Sequence, residues 1–248
     1  MTEFKSFISN NFEVKLANTE EELKEVFKLR YEELLLSYNQ ENTNQTGMFI
    51  DDYDEYSDHL IVVDLNKKII AGTYRLVKKE HIKTIGMFIT EKEFDLTKIK
   101  DYEVIELGRA VVRKEYRDGT AIALLWQGIV RYVTTQKIRF LFGTASFYGV
   151  DPNKYKQALS LIYYQHLSPA EFRCQAITNS LPLNLVEEAD LDLHKARREM
   201  PPLIKGYIKI GATFGDQAFL DYDFNSLDVF TLFDMNNVNP LYLHRFLK

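Results

Sequence analysis

Val104-Ile-Glu-Leu-Gly-Arg-Ala-Val-Val112 reads as an apolar strand with a glutamate and an arginine set into it, and it opens the stretch that decides the fold. Gly119 then stands where a helix can begin, and Leu124, Leu125, Ile129 and Val133 recur at helical intervals within Ala121 to Thr135. Arg139-Phe-Leu-Phe-Gly-Thr-Ala-Ser146 follows as a strand of the fully buried type. Strand, Gly-containing turn, helix and strand form a βαβ unit, whose crossover requires the two strands to run parallel. Toward the N-terminus, His59 to Asp64 and Ile69 to Val77, joined through Asn66-Lys-Lys, predict an antiparallel hairpin. Before it, Thr19-Glu-Glu-Glu22 has capping-box spacing, and Leu23, Val26, Phe27 and Arg30 share one face, predicting a helix over about 19–36.

Toward the C-terminus, helical patterns at Asn153 to His166 and Glu187 to Glu199 predict a partly helical insertion at about 151–200 within a single domain of 1–248. A helix over Leu203 to Gly211 and strands at Ala218 to Phe224 and Val229 to Phe233 follow, and the chain closes on Pro240 to Leu247. The class is therefore mixed α/β with antiparallel early strands. The polar stretch Asn39 to Gly47 and the acidic Phe49-Ile-Asp-Asp-Tyr-Asp-Glu-Tyr-Ser-Asp58 read as loop, where chemistry often resides.

With 46% hydrophobic residues against 27% charged, the 248-residue chain can bury a full core, which excludes a disordered or low-complexity protein. A net charge of −5 has the wrong sign for a whole-surface nucleic-acid binder. Cys174 is the sole cysteine and the five histidines are scattered, so neither a disulfide nor a metal site is expected. The N-terminus lacks a signal-peptide pattern, and the longest apolar run, Ala121 to Trp126, falls far short of the roughly 20 residues of a membrane span. These features predict a cytoplasmic protein whose membrane contact, if any, is peripheral.

Three motifs invite a chemical reading. His59 and Asp64 have His-x4-Asp spacing, but residues five apart on a strand face opposite ways, so they are not expected to pair. Residues 106–139 hold seven basic and three acidic side chains, a local charge of +4, leaving −9 for the rest. That island lies beside Gly119 at a helix N-terminus, a place that favours phosphate; a solvated helix face is the plainer alternative. Glu106 and Arg109, set in an apolar strand, must face solvent or be desolvated and paired. Burial would raise a glutamate's pKa and suit a general base, whereas a structural ion pair is the plainer reading. Gly108 between them suggests a bulge or the close approach of a ligand.

Taken in order, Leu29-Arg-Tyr31, Asp51-Asp-Tyr-Asp54 ahead of His59-Leu60, Gly72-Thr-Tyr-Arg-Leu76 and Glu106-Leu-Gly-Arg109 resemble the acyl-homoserine-lactone synthases. They are still more similar to the related, hemolysin-like, bacterial ornithine-lipid N-acyltransferases. The strings Leu141 to Phe147, Pro201 to Tyr207, Asp221-Tyr-Asp-Phe224 and Asp228-Val-Phe230 resemble the latter specifically. The resemblance runs from about residue 15 to the C-terminus. It implies a fold of the GCN5-related N-acetyltransferase (GNAT) type, with a mixed central sheet, helices on both faces and acyl carrier protein (ACP) thioesters as donors. The GNAT acetyl-CoA loop expects an Arg or Gln where Tyr116 stands, Arg117 lying one residue too close to Gly119.

What the resemblance implies for the site follows residue by residue. Glu106 would be the base that deprotonates the acceptor amine, and Arg109 would fix that carboxylate or help hold the acyl chain. Asp51 and Asp54 would offer negative charge to a cationic group of the acceptor, while Arg30 and Arg75 order their loop or meet the acceptor carboxylate. Ser146 joins the substrate-binding set, and Phe140, Phe142 and Phe147 would line the acyl pocket. Arg113, Lys114, Arg117 and Gly119 would receive acidic ACP and its phosphopantetheine phosphate, with no other cofactor bound. The implied activity is transfer of a long-chain, 3-hydroxylated acyl group to the α-amine of ornithine. Glycine as acceptor, lactone synthesis, and an ACP-binding scaffold without chemistry are the alternatives.

Overall fold

The computed structural model describes residues 4–36 and 44–238. The loop expected over 39–47 lies partly outside the described residues, and the closing Pro240 to Leu247 lies wholly outside them. The chain divides into two compact units, 4–86 with 107–138, and 87–106 with 139–238.

The first unit opens with strands β1 (Phe7–Ser9) and β2 (Phe12–Leu16), then helix α1 (Glu20–Arg30), β3 (Asp58–Asp64), β4 (Ile69–Lys78) and a short α2 (Lys79–Ile85). The Leu107 to Val112 part of β5 (Val104–Val112) and helix α3 (Thr120–Gln136) complete it. Strand order here is β1-β2-β3-β4-β5, and the first four are antiparallel neighbours. The first hairpin was not expected; it turns at Asn10, whose φ of 51° lies in the left-handed region that asparagine tolerates. As expected from spacing, Thr19 caps α1 by accepting from the Glu22 amide at 3.2 Å, and the Glu22 carboxylate reaches back to the Asn18 amide at 3.0 Å.

Strand alternation sorts the faces of this unit. Val26 and Leu29 of α1 pack with Ile61, Ile70 and Val111. Leu60 and Val14 instead face α3, where a Cβ built on Gly128 would lie 2.9 Å from each of their methyl groups. Helices therefore cover both faces of the strands. Gly128→Val is expected to lower stability by about 1–3 kcal/mol through overpacking; an unchanged urea midpoint would contradict so close an approach of α3.

The second unit takes Val104 to Glu106 from β5, then β6 (Phe140–Tyr148), α4 (Lys156–Gln165), β7 (Ser180–Pro182), α5 (Leu193–Glu199), α6 (Pro202–Ile210), β8 (Thr213–Asp221) and β9 (Ser226–Asp234). Its strand order is β5-β6-β9-β8-β7. β6 runs parallel to β5, Glu106 lying opposite Phe142, and the other neighbours are antiparallel. The mixed sheet and its βαβ unit are thus as read from the sequence. Strand β8 begins at Thr213, five residues earlier than expected, and α5 is shorter than the pattern over Glu187 to Glu199 implied.

Candidate active site

In the first unit, one ion-pair network gathers five of the expected site residues. Arg30 sits four residues after buried Val26, so helical phase carries it to the face of α1 that meets the sheet, where it is 0% exposed. His59 stands opposite Arg75 in the β3–β4 register and two residues before Ile61, which places both on that same face. The loop ahead of β3 supplies the carboxylates. Its turn is self-bonded: the Asp54 amide donates to the Asp51 carbonyl, and the Asp51 and Tyr53 amides donate to the Asp54 and Asp51 carboxylates. Arg30 donates to Asp54 at 2.6 Å, Arg75 to Asp51 at 2.6 Å and to Asp54 at 3.1 Å, and Arg109 to Asp51 at 2.8 Å. Phe27, Tyr53 and Phe49 offer ring faces to Arg30, Arg75 and Arg109.

Each of these carboxylates is shared between two arginines, Asp51 by Arg75 and Arg109 and Asp54 by Arg30 and Arg75. Burial alone would raise the Asp51 pKa, but the Arg75 and Arg109 charges hold it down to about 2. Arg30 has no exposed surface and pairs with Asp54 of the loop. Arg109 and Asp51, with side chains 23% exposed, form the open edge of the network. Gly108 marked an irregularity correctly in place but not in residue: Arg109 carries the positive φ, 51°.

His59, set aside with its His-x4-Asp spacing, belongs to this network while Asp64 does not. Asp64 accepts from Asn11 and Tyr116, which fixes the tyrosine standing at the loop position of the missing arginine. A guanidinium only donates, so its 2.9 Å contact makes His59 Nδ1 an acceptor; Nε2 then carries the proton and donates to the Asp54 carbonyl at 3.1 Å. Burial and the Arg30 charge push the His59 pKa down to about 4. The unfolded chain therefore binds a proton first, and this contribution to stability is lost as pH falls from about 6.5 toward 4. Asp228 acts oppositely over much of that range, since burial pushes its carboxyl up to about 6. The difference between wild type and His59→Gln isolates the histidine: the stability advantage of wild type should shrink steadily on acidification through that window. A pH-independent difference in denaturant melts would contradict a neutral His59.

In the second unit, Glu106 is 4% exposed and accepts from the Ile89 amide at 3.1 Å, the Thr90 amide at 2.7 Å and the Thr90 hydroxyl at 2.5 Å. It thus satisfies the leading amides of a 3-10 turn, Ile89–Lys92, that sequence reading did not anticipate. Ser146 lies opposite Asp228 in the β6–β9 register, and the Asp228 carboxyl meets the Ser146 and Ser226 hydroxyls. The three phenylalanines do not line one pocket. Phe140 and Phe142 share a face and pack against Tyr102 and Phe88, whereas Phe147 points the other way, against Tyr155. All three are fully buried core residues.

The basic island dissolves in three dimensions. Arg113 faces Glu25 and Glu32, Arg117 pairs with Glu33 at 2.5 Å, and the Lys114 amide donates to Glu33. Gly119, with φ of 97°, opens α3 as expected, but Asp118 already accepts from the Thr120 amide there. Two of its arginines, Arg113 and Arg117, are thus paired with glutamates of residues 25–33.

The fold is shared with solved structures. The chain is similar to TofI in a ternary complex with an inhibitor and MTA, with a TM-score of 0.56 at 13% identity over 95% of this chain and 97% of that one. It is also similar to a CoA-dependent acyl-homoserine lactone synthase, BjaI, with a TM-score of 0.53 at 12% identity over 92% and 81%. The acetyltransferase (GNAT) domain family matches residues 29–127, which include the whole arginine–carboxylate network. Fold and match together give a GNAT-type domain over residues 29–127.

Two curated relatives narrow this further. L-ornithine N(alpha)-acyltransferase of Rhodobacter capsulatus is 33% identical over 235 residues, 90% of each chain. The protein of the same name from Agrobacterium fabrum is 33% identical over 245 residues, 93% of this chain and 83% of its own. The chain belongs to the L-ornithine N(alpha)-acyltransferase family.

Proposed function

We propose that this enzyme moves a long-chain 3-hydroxyacyl group from ACP to the α-amine of L-ornithine, forming a one-chain ornithine lipid. The observation that carries the acceptor is the 33% identity to a relative of that name across 90% of both chains. The arginines of the network support recognition of an amino-acid carboxylate, with Arg109, its side chain 23% exposed, at the accessible edge.

For transfer, the acceptor amine loses a proton, its nitrogen attacks the thioester carbonyl, the C–S bond breaks, and the phosphopantetheine thiol leaves with a proton. Glu106 is the proposed base. Its carboxylate is held in place by three donors, the Ile89 and Thr90 amides and the Thr90 hydroxyl. Backbone amides near Ala110 and Val111, beyond the bend at Arg109, are proposed donors to the developing oxyanion.

ACP as donor partner and the phosphopantetheine thioester as co-substrate remain part of this proposal. Their docking would rest on the outward faces of Arg117, 53% exposed at its side chain, and Lys114. Among the described residues no helix is long and apolar enough to cross a membrane. The test is mass spectrometry of products from 3-hydroxypalmitoyl-ACP with a pool of ornithine, lysine, glycine and S-adenosylmethionine. N-acyl-ornithine is expected; N-acyl-glycine or a lactone would overturn the acceptor, and no product with ACP still bound would overturn the activity.

A further inference from the structure

Away from the groups used above, three carboxylates of the second unit converge. Glu93, Asp221 and Asp228 each place one oxygen within 4.8 Å of the others. They come from three elements: Glu93 follows the Ile89–Lys92 turn, Asp221 ends β8, and Asp228 lies within β9. Asp221 stands opposite Ser226, and Asp228 opposite Ser146, so both acids and both hydroxyls point from one face of the sheet. Asp228 is 5% exposed, and its Oδ1 is buried without a hydrogen-bond donor. The charge acting on it is the like charge of Asp221.

A buried carboxylate with one oxygen lacking a donor, gathered with two further carboxylates, calls for a countercharge. The donors are all hard oxygens, which suits a group-2 cation rather than zinc or copper. Two ligands of one ion lie no farther apart than twice the metal–oxygen distance, roughly 4.6–5.2 Å for Ca²⁺ and 4.0–4.2 Å for Mg²⁺. A spread of up to 4.8 Å is within reach of the larger ion. We propose that Glu93, Asp221 and Asp228 bind Ca²⁺, with the Ser146 and Ser226 hydroxyls beside it. The ion would tie the turn that Glu106 holds at its start to strands β8 and β9 at its end. These ligands are all carboxylates, far apart along the chain, and carry none of the cysteine and histidine spacing of a zinc site.

The experiment is a thermal-shift and calorimetric titration of the EDTA-stripped full chain with CaCl₂ and, separately, MgCl₂. Expected is one bound Ca²⁺ per chain and a midpoint rise of about 5 °C or more at a hundredfold excess over Kd. Asp228→Asn should lose the Ca²⁺ response while melting, in EDTA, at or above the wild-type midpoint, because the repulsion is gone. Asp221→Asn gives a second reading should the first variant not fold, and it too should lose the response. Asp52→Asn, in the other unit, should keep it. No heat and no shift with wild type, a Ca²⁺ response that survives Asp228→Asn, or a stronger response to Mg²⁺ would each overturn the proposal.

Discussion

Asp54→Asn should destabilise the protein by about 3–5 kcal/mol, the range for removing one partner of a buried ion pair. Asp54 is the shared counterion of Arg30 and Arg75, which are 0% and 2% exposed. Neutralising it leaves two buried guanidinium groups with Asp51 as their remaining carboxylate, and Asp51 is already divided between Arg75 and Arg109. The Nε atoms of Arg30 and Arg75 have no acceptor, so those groups hold no reserve of bonding. Asparagine preserves the side-chain shape, but if its oxygen accepts from the Asp51 amide its NH2 group faces both guanidinium donors, which adds to the loss of charge. For a chain of this length the thermal midpoint should fall by roughly 6–20 °C. Asp51→Asn, at the open edge, should cost much less and instead raise the acceptor KM. Equal melting of wild type and Asp54→Asn would show that the network contributes no net stability.

Glu106→Gln should lower kcat at least tenfold, and by up to about 10⁴-fold if Glu106 supplies general-base catalysis. Because glutamine turns one acceptor oxygen into a donor facing the Ile89 and Thr90 amides, some loss of stability will accompany it. Turnover must therefore be read on protein that circular dichroism shows to be folded. The pH profile separates the two effects. Loss of a base removes the acidic limb of the kcat/KM profile, whereas a displaced turn lowers the whole profile without changing its shape. Retention of full activity would take the base role away from Glu106.

The legible part of this fold is the part governed by period. Val26 and Leu29 on α1, the alternation of β3 and β4, and the strand–helix–strand stretch from Val104 onward each repeat often enough to specify themselves. The strands β1 and β7, of three residues each, are too short to show a period, although Asn10-Asn11 was a turn signal beside the first.

Site residues divided along a similar line. Charged residues inside an apolar strand pointed to Glu106 and Arg109, whereas Arg30 and Arg75 came from the family resemblance; the first rule applied to Ser226-Leu-Asp-Val-Phe230 would have singled out Asp228. Partners brought by distant chain were not legible: nothing local links Thr90 to Glu106. The basic island was misleading for the same reason, because Glu25, Glu32 and Glu33, which face Arg113 and Arg117, lie far upstream and are brought there only by the fold.

Six non-glycine residues among those described have positive φ, and five of them occupy turns or a helix end. Arg109 is the sixth, in the interior of a strand, where a side chain in that conformation costs roughly 1–2 kcal/mol. For anyone engineering a more heat-resistant form, this position sets a trade. Glycine there would relax the backbone and delete the guanidinium in one step, so the thermal gain would come at the expense of the cation at the open edge of the network. Lysine would keep the charge and the strain but lose the planar fork and its contact with Phe49. Libraries screened for stability alone should therefore drift toward glycine at 109, and those screened for turnover should hold arginine.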